Sequence, residues 1–254
     1  RNQSASRVSA ETEVTIHDRT GRAVATQRRP HAIRANSLAS YEFSLKVPQP
    51  HRWSVDDPYL YSVDARVRVA GRAVDEERVA HGMRTIAFTP DSGFLLNGVR
   101  VPLQGVCLHH DLGPLGAAAF DRGIERQLEV MKQLGVNAIR TSHNPPAPAL
   151  LDAADRMGFV VMDEVFDEWK QNKTRFGYGQ FFDEWSERDT RDMVRRDRNH
   201  ASVVMWSIGN EIPEQGDTLH AEAMATRLAG FVRDEDPTRF VTAGMDNPES
   251  ARKT

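Results

Sequence analysis

Across residues 7–88 apolar positions alternate with polar ones: Val14 and Ile16, then Tyr41, Phe43, Leu45 and Val47, then Tyr61, Val63, Ala65, Val67 and Val69. A period of two is that of an extended chain with one face buried, so each run predicts a strand. Gly21, the Pro48/Pro50 pair and Gly71 fall between the runs, where turns need residues that accept or impose unusual φ. The pattern predicts an antiparallel sandwich of immunoglobulin type. About five strands are legible against the roughly seven such a domain uses, so one or two strands are expected upstream of Arg1.

After Phe94 the rhythm changes. Residues 101–106 predict a strand; Ile124, Leu128, Met131 and Leu134 then recur at helical spacing, which predicts a helix over 125–134 closed by Gly135. The alternation continues with a strand at 138–141, a helix carrying Leu150, Ala154 and Met157 up to Gly158, and a strand at 159–163. A polar connection over 164–180 leads to a charged helix at 183–198, a strand at 203–208, a helix at 219–233 and a strand at 240–243. Strands that alternate with helices predict a parallel sheet covered by those helices. Both the open doubly wound sheet and the closed (β/α)8 barrel are built this way, and both place ligands at the C-terminal ends of the strands.

Composition narrows the class without changing the picture. With 39% hydrophobic and 27% charged residues, the chain has the profile of a folded globular protein. Lys+Arg 33 against Asp+Glu 36 leaves a net charge of -3, which supplies no overall pull toward nucleic acid or an anionic membrane. A single cysteine, Cys107, excludes an intramolecular disulfide and leaves the compartment open between cytoplasmic and periplasmic or secreted. No apolar run approaches the roughly 20 residues of a membrane-spanning helix.

Chemistry-bearing residues gather where the strands end: His109 and His110, Arg140 and His143, Asp163 and Glu164, Asn210 and Glu211. A carboxyl held at such a lip and partly desolvated is suited to general acid work, which makes Glu211 the catalytic candidate. Arg140 and His143 stand beside a rigid Pro145-Pro146 turn and are suited to orienting a carboxylate and a sugar hydroxyl. Asp163, Glu164, Asp167 and Glu168 with His109, His110 and Asp111 could supply oxygen and nitrogen ligands to a cation. Neither a His-Glu-x-x-His nor a calcium-loop spacing is present, so no metal is assigned. The run from Arg195 to His200 predicts an ion-pair network. No G-x-G-x-x-G occurs, so no nucleotide cofactor is expected.

Several of these motifs, in this order, resemble glycoside hydrolase family 2. Trp53 with Pro58, Leu60 and Tyr61 is similar to the family's sandwich motif, and the segment 82–86 to its exit. Phe94, Asn97-Gly98 and the segment 103–106 are similar to the approach to the barrel; 140–145 and 196–211 are similar to its two signatures. The resemblance implies an immunoglobulin-like sandwich over 1–88 followed by the first five or so βα units of a TIM barrel over 89–254. It implies a retaining exo-β-glycosidase with Glu211 as acid/base, Asn210 on the sugar 2-hydroxyl, Arg140 supporting the nucleophile, and His109, His143, Asp163 and Glu168 in the substrate site. A β-galactosidase is the expected activity, with β-glucuronidase, β-mannosidase or a non-catalytic carbohydrate-binding module using Trp169 and Trp185 as alternatives. The implied partner is a carbohydrate substrate, with no cofactor, nucleic acid or membrane, and self-association is compatible with the family. The family's nucleophilic glutamate is expected beyond Thr254. Lys170 stands where some members place a metal-binding histidine, and its ammonium is expected to replace the cation.

Overall fold

The computed structural model describes residues 1–246. Two compact units are present: Arg1–Trp53 with Asp57–Arg84, and Ser54–Asp56 with the chain from Thr85 onward.

In the first unit β1 (Val8–His17), β2 (Ala23–Ile33), β3 (Tyr61–Val69) and β4 (Arg72–His81) form an antiparallel sheet in the order β2-β1-β3-β4. The β3–β4 turn places Ala70 at φ 48° and Gly71 at φ 80°. Two successive left-handed residues give a tight turn whose twist matches that of the flanking strands. Ala10, Ile16 and Tyr61 are buried with Trp53. Segment 41–47 departs from expectation. Its side chains alternate between half-buried and exposed, yet it joins no ladder among the described residues. It is held instead through side chains, with Ser44 N donating to Gln27 Oε1 at 3.2 Å and Arg29 Nη1 to the Glu42 carbonyl at 3.4 Å. Period two reports which face is covered, and a covered face does not require a hydrogen-bonded neighbour.

The second unit opens with a small antiparallel sheet of β5 (Ile86–Thr89), β6 (Gly93–Leu96) and β7 (Val99–Arg100). Five parallel strands follow: β8 (Gly105–His109), β9 (Ala138–Ser142), β10 (Val160–Glu164), β11 (Val203–Asn210) and β12 (Phe240–Gly244). They alternate with α1 (Asp121–Gln133), α2 (Pro148–Met157), α3 (Gly179–Asp197) and α4 (Thr218–Glu235). The strands lie side by side in chain order, without the reversal a doubly wound sheet requires, so this unit is a wall of a TIM barrel. β8 begins later than the predicted 101–106. Val101 N is tied back to the Phe94 carbonyl and Gln104 N is taken by Asn137 Oδ1, which delays the ladder to Gly105.

Leu128, Leu151, Phe159, Val161, Val203, Trp206 and Val232 are wholly buried between helices and sheet. Each such side chain contributes roughly 1.5–3 kcal/mol of transfer free energy. α2 ends as its sequence predicts, with Gly158 at φ 75° and its N–H on the Ala154 carbonyl. A Cβ there would sit 2.2 Å from the Val55 carbonyl oxygen, so shape and conformation both demand glycine. The charged end of α3 is an ion-pair network. Arg196 clamps both Asp197 oxygens at 2.6 and 2.7 Å, and Arg195 and Arg191 converge on Glu235 of α4. No helix among the described residues is long and apolar enough to cross a membrane.

Candidate active site

The C-terminal ends of β9, β10 and β11 bring Arg140, Glu164, Ser207 and Asn210 together on one face of the sheet. Glu164 is wholly buried and is the hub. Its Oε2 accepts from Arg140 Nη2 at 2.8 Å, Arg140 Nε at 3.1 Å and Ser207 Oγ at 2.5 Å. Its Oε1 accepts from His143 Nδ1 at 2.5 Å. A carboxylate can only accept, so Nδ1 carries the proton and the His143 ring is fixed. The His109 ring stands edge-on to it, with centroids 5.2 Å apart.

Arg140 also reaches Asn210 Oδ1, 2.8 Å from its Nη2. Gly244 on β12 leaves room for that guanidinium, since a Cβ there would come within 2.4 Å of Nη2. Burial disfavours the charge on Arg140, but the Glu164 carboxylate outweighs it and raises the guanidinium pKa. Asn210 Nδ2 donates to Asp167 Oδ1 at 3.0 Å, so both ends of the amide are committed and its orientation is set. Asp167 also accepts from Lys173 Nζ at 2.8 Å. Burial pushes the Asp167 carboxyl up, yet the bonds from Lys173 and Asn210 more than offset this and hold it below its ordinary value. Beside this cluster a cavity of about 560 Å³ is lined by His143, Phe166, Asp167, Tyr178 and Arg196, among others.

Glu211 follows Asn210 at the lip. Its N–H donates to the Gly244 carbonyl at 2.6 Å and its φ is 42°. The enclosure expected around this carboxyl is not supplied by the described residues. Glu211 is exposed, and its carboxylate has no partner among them, because Asn210 is the last β11 residue whose side chain turns into the cluster.

Two other expected site residues are placed elsewhere. Asp163 sits on the opposite face of β10, fully buried against Thr141 Oγ1 (3.3 Å) and Asp197 of α3. Burial and the neighbouring Asp197 carboxylate push its pKa well above the ordinary range, which favours the protonated form. Adjacent strand residues point to opposite faces, which is why Asp163 and Glu164 part company. Glu168 is buried and accepts from two backbone amides, Lys173 N at 2.5 Å and Gly179 N at 3.1 Å. It shapes the β10–α3 connection and caps α3, and Gly177 is required beside it because a Cβ would fall 1.8 Å from Oε1.

The ammonium at the lip is also not the one expected. Lys170 Nζ pairs with Asp183 at 2.6 Å, both side chains exposed, whereas Lys173 reaches Asp167 and, at 2.7 Å, the Asn210 carbonyl. His110 and Asp111 bond within their own loop, to the Ala117 carbonyl and Gly113 N. Among the described residues, no three His, Cys, Asp or Glu side chains converge as a metal site would require. Trp169 is wholly buried, its Nε1 on the Ile208 carbonyl at 2.7 Å, and Arg188 lies over the Trp185 ring, so the two do not form the open sugar platform of the binding-module reading.

Sequence reasoning missed the hub role of Glu164 and the contributions of Asp167, Lys173 and Ser207. Strand parity was the available signal: Arg140, Glu164 and Ser207 all fall on the face opposite the wholly buried Val161.

Comparison with known proteins matches residues 1–84 to the glycosyl hydrolases family 2 profile and residues 88–252 to the TIM barrel domain of glycosyl hydrolases family 2. A β-galactosidase of Bacteroides ovatus is 42% identical over 93% of this chain and 31% of its own length. A β-glucuronidase of Bacteroides fragilis is 29% identical over 93% of this chain and 34% of its own. The crystal structure of a family 2 member from Bacteroides cellulosilyticus superposes with a TM-score of 0.93 at 41% identity, covering 98% of this chain and 32% of that one. The chain spans about a third of the length of these relatives.

Proposed function

The chain belongs to glycoside hydrolase family 2, and we propose that it carries the acid/base half of a retaining exo-β-glycosidase, acting on terminal β-galactosides. The observation that carries this reading is the lip of β11. There an amide locked at both ends by Arg140 and Asp167 stands beside the exposed carboxyl of Glu211, which has no partner among the described residues.

Glu211 protonates the departing glycosidic oxygen while a second carboxylate, from a segment outside this chain, attacks the anomeric carbon. Glu211 then takes a proton from water as the glycosyl ester is hydrolysed. The exposure of Glu211 suits it to meet an aglycone that arrives from solvent. Asn210, its orientation fixed, donates to or accepts from the 2-hydroxyl, a contact that strengthens as charge develops at the ring. His143, its Nδ1 held by Glu164, turns Nε2 to the glycone next to His109. Arg140 is placed to hold the incoming nucleophile beside Asn210. A galactoside is favoured over a glucuronide because the 42%-identical relative is a β-galactosidase.

The test is Glu211→Gln in the full-length protein. Hydrolysis of nitrophenyl β-galactoside should fall by about 10²–10⁴-fold, the share general acid–base catalysis contributes, with galactose binding retained. A change in affinity alone would refute the assignment. Higher kcat/KM on the glucuronide than on the galactoside would reassign the glycone and leave Glu211 in its role.

A further inference from the structure

The β10–α3 connection carries Lys173, whose contacts are more specific than loop anchorage needs. Its backbone N–H already ties the loop to Glu168 Oε2. Its ammonium adds two more bonds, to Asp167 Oδ1 at 2.8 Å and to the carbonyl of Asn210 at 2.7 Å. That carbonyl belongs to the peptide unit joining Asn210 to Glu211. The same peptide is gripped by its other end, where Glu211 N donates to Gly244. Glu211 meanwhile holds a φ of 42°, a left-handed conformation that is disfavoured for a non-glycine residue. A backbone in that region persists only where its surroundings over-determine it. The Lys173 side chain is 23% exposed, so these bonds form in partly desolvated surroundings where they are stronger than in bulk water.

We infer that Lys173 is a positioning residue for the acid/base. Its ammonium pins the Asn210–Glu211 peptide and thereby sets where the Glu211 carboxyl meets the departing oxygen. This rests on the reading of Glu211 given above. Lys173 touches neither sugar nor nucleophile in this scheme; it acts through the backbone it holds. A misplacement of about 1 Å at a reacting group costs on the order of 10²-fold in rate.

The experiment compares two substrates of one sugar in the full-length protein: 2,4-dinitrophenyl β-galactoside, whose leaving group departs without a proton, and methyl β-galactoside, whose leaving group requires one. If the glucuronide proves to be the glycone, the corresponding glucuronide pair is used. kcat/KM reports the steps through glycosyl transfer to the nucleophile, where the acid acts first. Lys173→Met should lower kcat/KM on the methyl glycoside by about 100-fold and leave the dinitrophenyl glycoside within about threefold. Lys173→Arg, which keeps the cation, should stay within about tenfold of wild type on both. A merely structural role would lower both substrates in parallel. Glu211→Gln serves as the reference. If it is selective for the methyl glycoside while Lys173→Met is uniform or silent, the positioning role is overturned and the acid assignment stands. If Glu211→Gln is itself unselective, the acid assignment falls and this inference with it.

Discussion

Replacing Glu164 by alanine tests the hub directly. The substitution removes a fully buried carboxylate that accepts four bonds and leaves the Arg140 guanidinium, among the described residues, with the side chains of Asn210 and Cys107. Each bond to a charged group contributes about 1.5–3 kcal/mol, but the four share one acceptor and cannot be counted independently. The better guide is the cost of breaking a buried ion pair from one side, about 3–5 kcal/mol, because the surviving charge stays desolvated. We expect that loss for Glu164→Ala. It is a large fraction of the 5–15 kcal/mol that holds a typical domain together. Glu164→Gln should lose less, since the amide keeps one acceptor and places its NH2 against a donor. The assay is urea denaturation of the 254-residue chain by tryptophan fluorescence. Trp169, Trp185 and Trp206 all lie in the barrel unit, so the signal reports mainly there. A double-mutant cycle with Arg140→Met should show coupling of at least about 1.5 kcal/mol, within the range for residues in contact. A loss under about 1 kcal/mol for Glu164→Ala, or additive effects in the cycle, would refute the hub.

Gly158→Ala should destabilise by about 2–4 kcal/mol, from the left-handed conformation and the clash with the Val55 carbonyl together; a shift in thermal midpoint checks it, and an unchanged midpoint would show that the backbone there can give. Asp163→Asn should change how stability depends on pH. With its pKa raised by burial and Asp197, folded Asp163 keeps its proton to higher pH than the unfolded chain, which releases it above a pH of about 4. Stability is therefore fully present below that value and is lost as pH rises through the elevated folded pKa. Asparagine mimics the protonated form, so its effect on melting temperature should be more favourable at pH 7 than at pH 4. A parallel offset at both pH values would mean that Asp163 is ionised in the fold.

The barrel wall was legible because its signals are local. Helix-period apolar residues and Gly158 placed α2, and short β-branched runs placed β10 and β11, with ends displaced by only a few residues. The strand expected over 41–47 failed because alternation describes burial and carries nothing about a partner. The candidate site was legible as a set of strand ends and less so as individual roles. Asp163 and Glu164 are adjacent acids in identical company along the chain, and only the parity of β10, once its neighbours are known, says that one faces helix and the other faces Arg140. Lys173 was illegible for a different reason. Its partner Asn210 lies 37 residues away, and no periodicity spans a contact made through a connection of irregular backbone.

The two neighbouring acids of β10 also guard the strand against mispairing. A slip of one position between β10 and its flanking strands would trade every side chain to the opposite layer. For an all-aliphatic strand that exchange would cost mainly hydrophobic contact. Here it would also exchange two acids of different reach, placing the longer Glu164 against Thr141 and Asp197 and leaving the shorter Asp163 to span to Arg140, His143 and Ser207. The correct alignment is thus selected by the reach of polar groups as well as by apolar contact, which amounts to a proofreading step written into two consecutive residues.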